Sequence, residues 1–432
     1  MAKRFSVSST GDSLFIKDFP KEYQGQLDEL KDFFGSVDFK FTNLETNLTD
    51  YEYFPNQFSG GTWLNTRREC ILDLNKFGFD VYGTANNHSL DYGHLGLVST
   101  IKTLDEYGLK HCGSGESLEQ AERPVYLEKD GVKVAVIAVD CVLENATMAG
   151  KETLKLKSRP GVNFLRKVKT FKVDKNQLIE LKKIASDCKI NFDRDNLIVT
   201  GFVSEEKDGV FVFGNTRFTD DASYPTTKCN KSDLNRIIGK IREAKTNADY
   251  LFVLPHCHDN DDVSHANPAE FLKEFARVCI DNGADAIFGG GCHELRGIEV
   301  YKNRPIFYSL GDFIYQGMDV EILPADFLEK YGVDKNGTAK EGLDARSKGG
   351  KIGLQTDIKN FLTVLPKLEF EEGKLADFKL LPIELNFNDK VLFGLPTVAK
   401  GEYVNMILDT LNKISAQFGT KFKIDNGYIV LA

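Results

Sequence analysis

Acidic, amide and imidazole side chains recur in short motifs that each follow a strand-like run of the sequence. They are Asp12 in TGDSLF, Asn43 and Glu45 in TNLETNLTD, Asn86, Asn87, His88 and Asp91 in GTANNHSLDYG, His256 and His258 in LPHCHDN, and His293 in FGGGCHELRGIEVY. Carboxylate oxygens and imidazole nitrogens bind divalent cations, and a histidine can also protonate a leaving group. This set, in this order, predicts a hydrolytic site with two metal ions.

Each motif taken alone also has a structural interpretation. A Gly-Asp pair after a strand commonly forms a turn or caps a helix, and buried asparagines often tie loops together. His94, His111 and His265 lie outside these roles and are expected to be structural or surface residues. Ligands collect beyond the carboxyl ends of the strands in an open parallel sheet. The joint pattern therefore favours one shared site.

Strand-like and helix-like runs alternate around these motifs, which is typical of a parallel sheet with crossover helices. The run PVYLEKDGVKVAVIAVD, from Pro124 to Asp140, predicts a hairpin, so the sheet is expected to be mixed. The alternation resumes from Leu234 to Ser309. The chain ends in a predicted hairpin around Glu371-Glu372-Gly373, a helix, and a last strand from Phe422 to Leu431.

Two segments are less regular. Residues 141–230 are expected to form a small subdomain or an inserted cap, with a second hairpin from Leu197 to Phe213 around Lys207-Asp208-Gly209. Residues 317–350 lack clear periodicity and are predicted to form a long surface loop or a partner-facing insertion.

The composition is that of an ordinary globular protein, with 41% hydrophobic and 28% charged residues in a chain of 432. The 55 basic and 64 acidic side chains leave a formal charge of −9, which argues against a nucleic-acid binder. No apolar run approaches the roughly 20 residues needed to span a bilayer, and the N-terminus lacks the apolar run of a signal peptide. We therefore expect a cytoplasmic protein with no membrane span. The eight scattered cysteines are expected to be mostly core residues.

A basic segment, residues 151–172, departs from the acidic composition. If it lies over the site, Lys167 and Lys169 would receive an anionic substrate such as a phosphate or a polyglutamate. The alternative is a solvent-exposed loop and strand. The expected partner is thus an anionic small molecule, peptide or polymer, and the oligomeric state stays open.

Five runs together resemble the CapA family, named after the poly-γ-glutamate capsule synthesis protein and part of the calcineurin-like metallophosphoesterase superfamily. They are TGDSLF, TNLETNLTD, NNHSLDYG, RPGVNFLR and GIEVYKNRPIFYSLGDFIY. The resemblance implies an α/β fold, a four-layer α/β/β/α sandwich with mixed sheets. It also implies a metallophosphatase-type domain over residues 1–320 and a C-terminal extension over residues 321–432.

The resemblance also implies roles for the motif residues. The implied metal ligands are Asp12, Glu45, Asn87, His256 and His293, and the implied catalytic residues are Asp12, His293 and His88, the last as general acid or phosphate contact. The implied cofactor is one or two divalent metal ions, which could be Mn, Zn, Fe or Mg.

This chain departs from the family pattern at two places. Gly291 stands where the family carries another histidine ligand, and His256-Cys257-His258-Asp259-Asn260 stands where the family carries His-Trp-Gly followed by a Glu. The metal is therefore expected to be weakened or absent unless His258 or Asp259 replaces the missing ligand. Asn43 is a further candidate for a ligand or substrate contact. The three glycines from Gly289 to Gly291 let the backbone approach closely and are expected to make room for a substrate.

Three functions follow from these residues. The first is a metal-dependent hydrolase that acts on a phosphoester or a γ-glutamyl or other amide bond in capsule or poly-γ-glutamate metabolism. The second is a metal-independent epimerase of peptides or amino acids, with Asp12 and His293 as facing acid and base. The third is a non-catalytic partner of a surface-polymer synthase. The retained set of ligands favours the hydrolase.

Overall fold

Two large β-sheets face each other at the centre of the molecule, and helices cover their outer faces. The computed structural model describes residues 4–142, 145–206 and 209–432. In chain order the strands are β1 Arg4–Leu14, β2 Phe39–Leu44, β3 Asn47–Leu48, β4 Asn65–Thr66, β5 Val81–Gly83, β6 His111–Cys112, β7 Ser114–Gly115, β8 Val125–Lys129, β9 Val132–Asp140, β10 Gly161–Val162, β11 Lys167–Lys169, β12 Phe171–Lys172, β13 Phe211–Phe213, β14 Thr216–Thr219, β15 Thr227–Cys229, β16 Tyr250–Cys257, β17 Ala286–Phe288, β18 Gly290–Gly291, β19 Ile298–Tyr301, β20 Arg304–Phe307, β21 Asp312–Tyr315, β22 Leu362–Glu371, β23 Lys374–Glu384, β24 Thr397–Val398, β25 Phe422–Asp425 and β26 Tyr428–Leu431. The helices are α1 Gln24–Gly35, α2 Ile71–Leu74, α3 Gly93–Glu106, α4 Leu118–Ala121, α5 Lys175–Asp187, α6 Phe192–Val199, α7 Lys231–Asn247, α8 Glu270–Asp281, α9 Ala325–Lys330, α10 Ala339–Arg346 and α11 Glu402–Ser415.

Both large sheets are mixed. The first has the order β25-β26-β23-β22-β1-β2-β5-β6, and β21 pairs in parallel with β1. The second has the order β19-β20-β17-β16-β9-β8, and β18 pairs in parallel with β16. The predicted hairpin of β8 and β9 forms the antiparallel edge of the second sheet, as expected.

The alternation of side chains along β9 shows the four layers. Val134 and Val136 join the apolar core between the two sheets, whereas Ala135 and Ile137 join a second core under α7 and α8. A third core packs helical residues such as Leu30 of α1 against the outer face of the first sheet. Because these cores cover the central strands on both faces, those strands are apolar on both sides, and the predicted α/β/β/α sandwich is confirmed.

Parallel pairing brings the carboxyl ends of the central strands together. In the first sheet Asp12 of β1 is in register with Asn43 of β2 and with Asp312 of β21. In the second sheet His256 of β16 is in register with Gly290 of β18. These ends meet at one edge of the sandwich, where the sequence motifs predict the site.

The prediction of a long loop over residues 317–350 was wrong, because α9 and α10 form there. A capping box of Thr338 and Glu341 begins α10 and satisfies the first N–H groups of this short helix. The prediction of one last strand was also wrong. The chain turns at Asn426 and Gly427, both with positive φ, so β25 and β26 form a hairpin. The Asn-Gly pair is the signal that indicated this turn.

The hairpin predicted from Leu197 to Phe213 has a different place. Leu197 to Val199 end α6, and the observed hairpin is β13 and β14, which turns at Gly214. The predicted turn at Lys207-Asp208 lies outside the described residues. Strands β12 to β14 and helices α5 and α6 form a small unit within the segment predicted as a subdomain or cap.

Residues on both sides of position 320 share the first sheet, because β22 runs antiparallel to β1. Within the described part of the chain, no helix combines the length and the apolar character that crossing a membrane requires.

Candidate metal centre

Asp12 lies at the centre of the site and is fully buried. Its Oδ1 accepts a hydrogen bond of 2.7 Å from Asn43 Nδ2, and its Oδ2 accepts one of 2.5 Å from the backbone N–H of Gly291. Burial alone would raise the pKa of Asp12, but the charge and hydrogen bond of His256 and the charge of His293 lower it below its ordinary value. Asp12 is therefore held in one orientation as a charged carboxylate.

The glycines after β17 make room for the protein rather than for a substrate, so the expectation for them was wrong. A Cβ on Gly290 would lie 2.3 Å from Asp12 Oδ1, and one on Gly289 would lie 2.6 Å from the backbone after β20. Gly291 has a φ of 112°, and its Cβ would lie 2.6 Å from the backbone nitrogen of Cys257. A histidine ligand at position 291 is incompatible with this backbone.

His256 lies between the two carboxylates named by the sequence. Its Nδ1 is 3.4 Å from Asp12 Oδ1, and its Nε2 is 3.4 Å from Glu45 Oε1. Its Nε2 also lies 2.6 Å from Asn87 Oδ1, and its Nδ1 lies 3.1 Å from Asn43 Nδ2. Asn43 thus contacts Asp12 and His256 together, which orients both groups.

Glu45 is fully buried, and neither of its carboxylate oxygens accepts a hydrogen bond from any described residue. Burial, and then the charges of Asp12 and Asp312, raise its pKa well above its ordinary value. Buried charges in proteins are normally paired or coordinate a metal, since burying an unpaired one is costly. Glu45 is therefore a buried carboxyl group whose oxygens are free to serve as ligands of a cation.

His258 lies beside Glu45 and completes a first candidate group of metal ligands. Ligand atoms of Glu45, His256 and His258 lie within 4.8 Å of one another. The His258 Nε2 is buried and has no hydrogen-bond partner among the described residues. Burial, and then the charges of His256 and His293, lower the pKa of His258 well below its ordinary value, which keeps its ring neutral.

A second candidate group consists of Asp12, His293 and Asp312, with ligand atoms again within 4.8 Å of one another. His293 has a φ of 60°, and its Nδ1 lies 2.9 Å from Asp312 Oδ1. Burial would lower the pKa of His293, but the charge and hydrogen bond of Asp312 raise it to about 8. Asp312 is not among the residues predicted from the sequence, although its Gly-Asp pair after a strand repeats the pattern of Gly11-Asp12.

His88 lies at the rim of this site and is oriented by Asp91. His88 Nδ1 is 2.6 Å from Asp91 Oδ2, and His88 Nε2 is 3.9 Å from Glu45 Oε1. Asp91 also accepts hydrogen bonds from two backbone N–H groups, one of them that of Gly60 at 2.8 Å. A Cβ on Gly60 would lie 2.5 Å from Asn87 Nδ2 and 2.7 Å from the His88 ring, so only glycine fits there. The sequence motifs did not reveal Gly60.

Two lysines that the sequence predicts as contacts for an anionic substrate form ion pairs with acidic side chains. Lys167 Nζ pairs with the carboxylate of Asp259, and Lys169 Nζ lies 2.8 Å from Asp262 Oδ1. The two lysines are therefore neutralised by neighbouring acids rather than available to an anionic substrate. The pairing also leaves His258, not Asp259, as the side chain placed to replace the missing histidine.

A cavity of 360 Å³ contains His88 and His293 among its lining residues. The other walls come from residues 60–62, 346–347 and 352–355, together with Leu14, Leu64, Tyr315 and Gly317. This volume is in the range of small-molecule sites, about 300–1,000 Å³. The cavity therefore gives a substrate access to the histidines of the site.

The chain is similar to known bacterial proteins over most of its length. Residues 6–317 match the family described as bacterial capsule synthesis protein PGA_cap. The chain is 32% identical over 434 residues to the uncharacterized protein y4sH of Sinorhizobium fredii, which covers 98% of this chain and 92% of that protein. It is 27% identical over 312 residues to the PGA biosynthesis protein CapA of Bacillus subtilis, which covers 71% of this chain and 60% of CapA.

Among solved structures, a hypothetical protein from Thermus thermophilus aligns with 12% identity and a TM-score of 0.40, covering 88% of this chain and 99% of that chain. The family match extends from β1 through Gly317, so it includes the strands and loops that carry both candidate groups of ligands. This chain therefore belongs to the bacterial capsule synthesis protein family PGA_cap, within the metallophosphoesterase-like superfamily.

Proposed function

We propose that this chain is a divalent-metal-dependent hydrolase that acts on a phosphoester or a γ-glutamyl amide bond in capsule or poly-γ-glutamate metabolism. The observation that carries the proposal is Glu45, a fully buried carboxylate whose two oxygens accept no hydrogen bond from the described residues. Burial and the neighbouring charges of Asp12 and Asp312 raise the pKa of Glu45, so its ionised form needs a further positive charge beside it. A divalent cation meets that need.

The donor set fits two ions. Glu45, His256 and His258 would hold one ion, and Asp12, His293 and Asp312 would hold the other. In this arrangement His258 takes the place of the histidine ligand that Gly291 excludes. A site that combines carboxylate and imidazole donors suits Mn, Fe or Zn better than a site built from oxygen donors alone does. Asn87, whose Oδ1 faces His256, offers a further oxygen.

A divalent ion at such a site polarises the bond to be cleaved and neutralises negative charge that develops in the transition state. His88 is placed to transfer a proton to the leaving group, because it lines the cavity and its ring is fixed through Nδ1. Asp91 is a positioning residue, since it is fully buried and holds the His88 ring and the Gly60 backbone in one geometry.

The geometry favours this proposal over the epimerase. A base that removes a proton from a substrate carbon needs an oxygen that the substrate can reach. Asp12 is fully buried, and its two oxygens already accept hydrogen bonds from Asn43 and Gly291. These contacts suit a ligand oriented toward a cation.

Metal analysis and activity assays test the proposal. We expect purified protein loaded with Mn²⁺ or Zn²⁺ to retain close to two ions per chain after gel filtration. We expect Asp12→Ala and His256→Ala to lose metal, and His258→Ala to retain one ion. His94→Ala is the matched control, because His94 is exposed and belongs to neither candidate group of ligands.

Activity is measured with bis-p-nitrophenyl phosphate and with γ-glutamyl peptides. The proposal is supported if the protein retains metal and hydrolyses a substrate only when the metal is bound. Equal metal content in the parent protein and Asp12→Ala would refute it. Stoichiometric metal without any hydrolysis would instead favour a non-catalytic accessory role, and solvent deuterium at a substrate Cα in metal-free protein would favour the epimerase.

A further inference from the structure

The cavity next to the candidate metal centre has a second wall that the sequence motifs did not indicate. It is formed by Arg346, Ser347 and residues 352–355, and Arg346 is the last residue of α10. Among the described residues that line this cavity, Arg346 is the one Lys, Arg, Asp or Glu side chain. The wall therefore brings a single permanent positive charge to the same cavity as His88 and His293.

Arg346 has few partners for a partly buried arginine. One of its terminal nitrogens donates a 2.5 Å hydrogen bond to Thr62 Oγ1, and the other lies 4.0 Å from Met318 Sδ. The guanidinium also lies over the Phe327 ring, 5.6 Å from its centroid. No carboxylate of the described residues lies within 4.0 Å of the Arg346 guanidinium, unlike that of Arg166, which pairs with Asp233.

A guanidinium has five N–H donors in a planar fork that matches two oxygens of a carboxylate or a phosphate. Most of the Arg346 donors therefore remain available. The buried carboxylates of the site, Asp12, Glu45 and Asp312, are not among the residues that line this cavity. Arg346 thus offers an oxyanion in this cavity a permanent positive charge together with N–H donors.

We propose that Arg346 binds an anionic group of the substrate, a carboxylate or a phosphate, apart from the bond that is cleaved. This inference rests on the proposed function, because it assumes that the substrate occupies the cavity beside His88. It assigns a specificity role to the wall formed by α10 and the residues after it. A neutral substrate of the same size would lack this contact and bind more weakly.

Trp63 provides a direct readout of this region. It is the single tryptophan of the chain, and its ring packs edge-on against Phe327 at a centroid distance of 6.3 Å. Phe327 in turn contacts Arg346, and Thr62 and Leu64, the neighbours of Trp63, line the cavity. An anion that engages Arg346 should therefore change the fluorescence of Trp63 without any turnover.

The experiment titrates full-length, metal-free protein with inorganic phosphate and, separately, with glutarate, and follows Trp63 fluorescence. We expect saturable binding of at least one anion. Arg346→Gln should weaken that binding by about 10- to 150-fold, since hydrogen bonds to charged groups contribute about 1.5–3 kcal/mol. Arg346→Lys should retain part of the affinity, because it keeps the charge and loses the fork.

Two controls separate recognition from a structural role. Thr62→Val removes the hydroxyl that accepts from Arg346 and leaves the guanidinium in place, so we expect near-parental anion binding. Lys340→Gln removes a charge from the exposed side of the same helix and should have no effect. Equal binding by the parent protein and Arg346→Gln, no binding of either anion by the parent, or a Thr62→Val defect as large as that of Arg346→Gln would each overturn the inference.

The readout also separates this inference from the proposed hydrolase. Anion binding that requires Arg346 in a protein without hydrolytic activity would refute the enzyme and keep the anion site. Metal-dependent hydrolysis with unchanged KM in Arg346→Gln would keep the enzyme and refute the anion site. If both hold, Arg346→Gln should raise KM for anionic substrates more than it lowers kcat.

Discussion

Replacing Glu45 by glutamine should stabilise the metal-free protein and at the same time abolish its stabilisation by metal. The parent carboxylate is fully buried without a hydrogen-bond partner among the described residues. An unsatisfied buried polar group costs about 1–3 kcal/mol, and a charged one costs more. Glutamine keeps nearly the same shape and removes the carboxyl group whose ionisation burial opposes, so at neutral to mildly alkaline pH we expect metal-free Glu45→Gln to gain about 1–3 kcal/mol in the free energy of unfolding.

The gain can be read as a thermal shift. A change of 1 kcal/mol moves the Tm of a 150–250-residue domain by about 2–4 °C, and that of a longer chain by less. We therefore expect the Tm of the metal-free variant to rise by about 2–5 °C. In the parent protein, an ion present at about 1,000 times its Kd adds about 4 kcal/mol, and the variant should lose most of that increment. Glu45→Gln should thus be more stable than the parent protein without metal, and the parent should be the more stable of the two when metal is added.

The pH dependence follows from the raised pKa of Glu45. A carboxyl group whose pKa is raised by folding destabilises the folded state increasingly as the pH rises above its ordinary value. The metal-free parent should therefore lose stability relative to Glu45→Gln between acidic and mildly alkaline pH. Differential scanning fluorimetry of dialysed protein, with and without Mn²⁺, measures both effects.

Glu180→Gln is the matched control, because Glu180 is exposed on α5 and should change neither quantity. A metal-free Glu45→Gln that is less stable than the parent would refute the argument that an unpaired charge is buried there. Equal metal-induced shifts in the two proteins would refute the role of Glu45 as a ligand.

Three further predictions follow from the structure. Gly290→Ala should lower the free energy of unfolding by about 1–3 kcal/mol and displace the Asp12 carboxylate, because the new Cβ would lie 2.3 Å from Asp12 Oδ1. Gly239→Ala, in open space on α7, should be neutral or stabilising in the same thermal melts. Asp91→Asn should lower kcat with little change in metal content, since it disturbs the proton on His88 rather than a ligand, and loss of metal by the variant would contradict this. Cys188, the exposed cysteine, should account for the fast reaction with Ellman's reagent in the native protein, and fast labelling that survives Cys188→Ser would disprove this.

Local pattern accounts for most of the elements. The hairpin of β8 and β9 and the alternation of strands and helices follow from side-chain periodicity, which depends only on neighbours in the chain. The same local reasoning failed over residues 317–350, where α9 and α10 are too short for a periodic pattern to stand out. It also overlooked the Asn426-Gly427 turn, although that pair is a strong hairpin signal.

The sequence by itself determined that carboxylates and imidazoles follow successive strands, because their spacing and order can be read without knowing which strands are neighbours. Tertiary structure alone decided which of them meet. Asp312 joins Asp12 because β21 pairs with β1 across some 300 residues, and Arg346 reaches the cavity because α10 packs near Thr62. Such contacts arise from long-range strand pairing and packing, which the local pattern of residues does not encode.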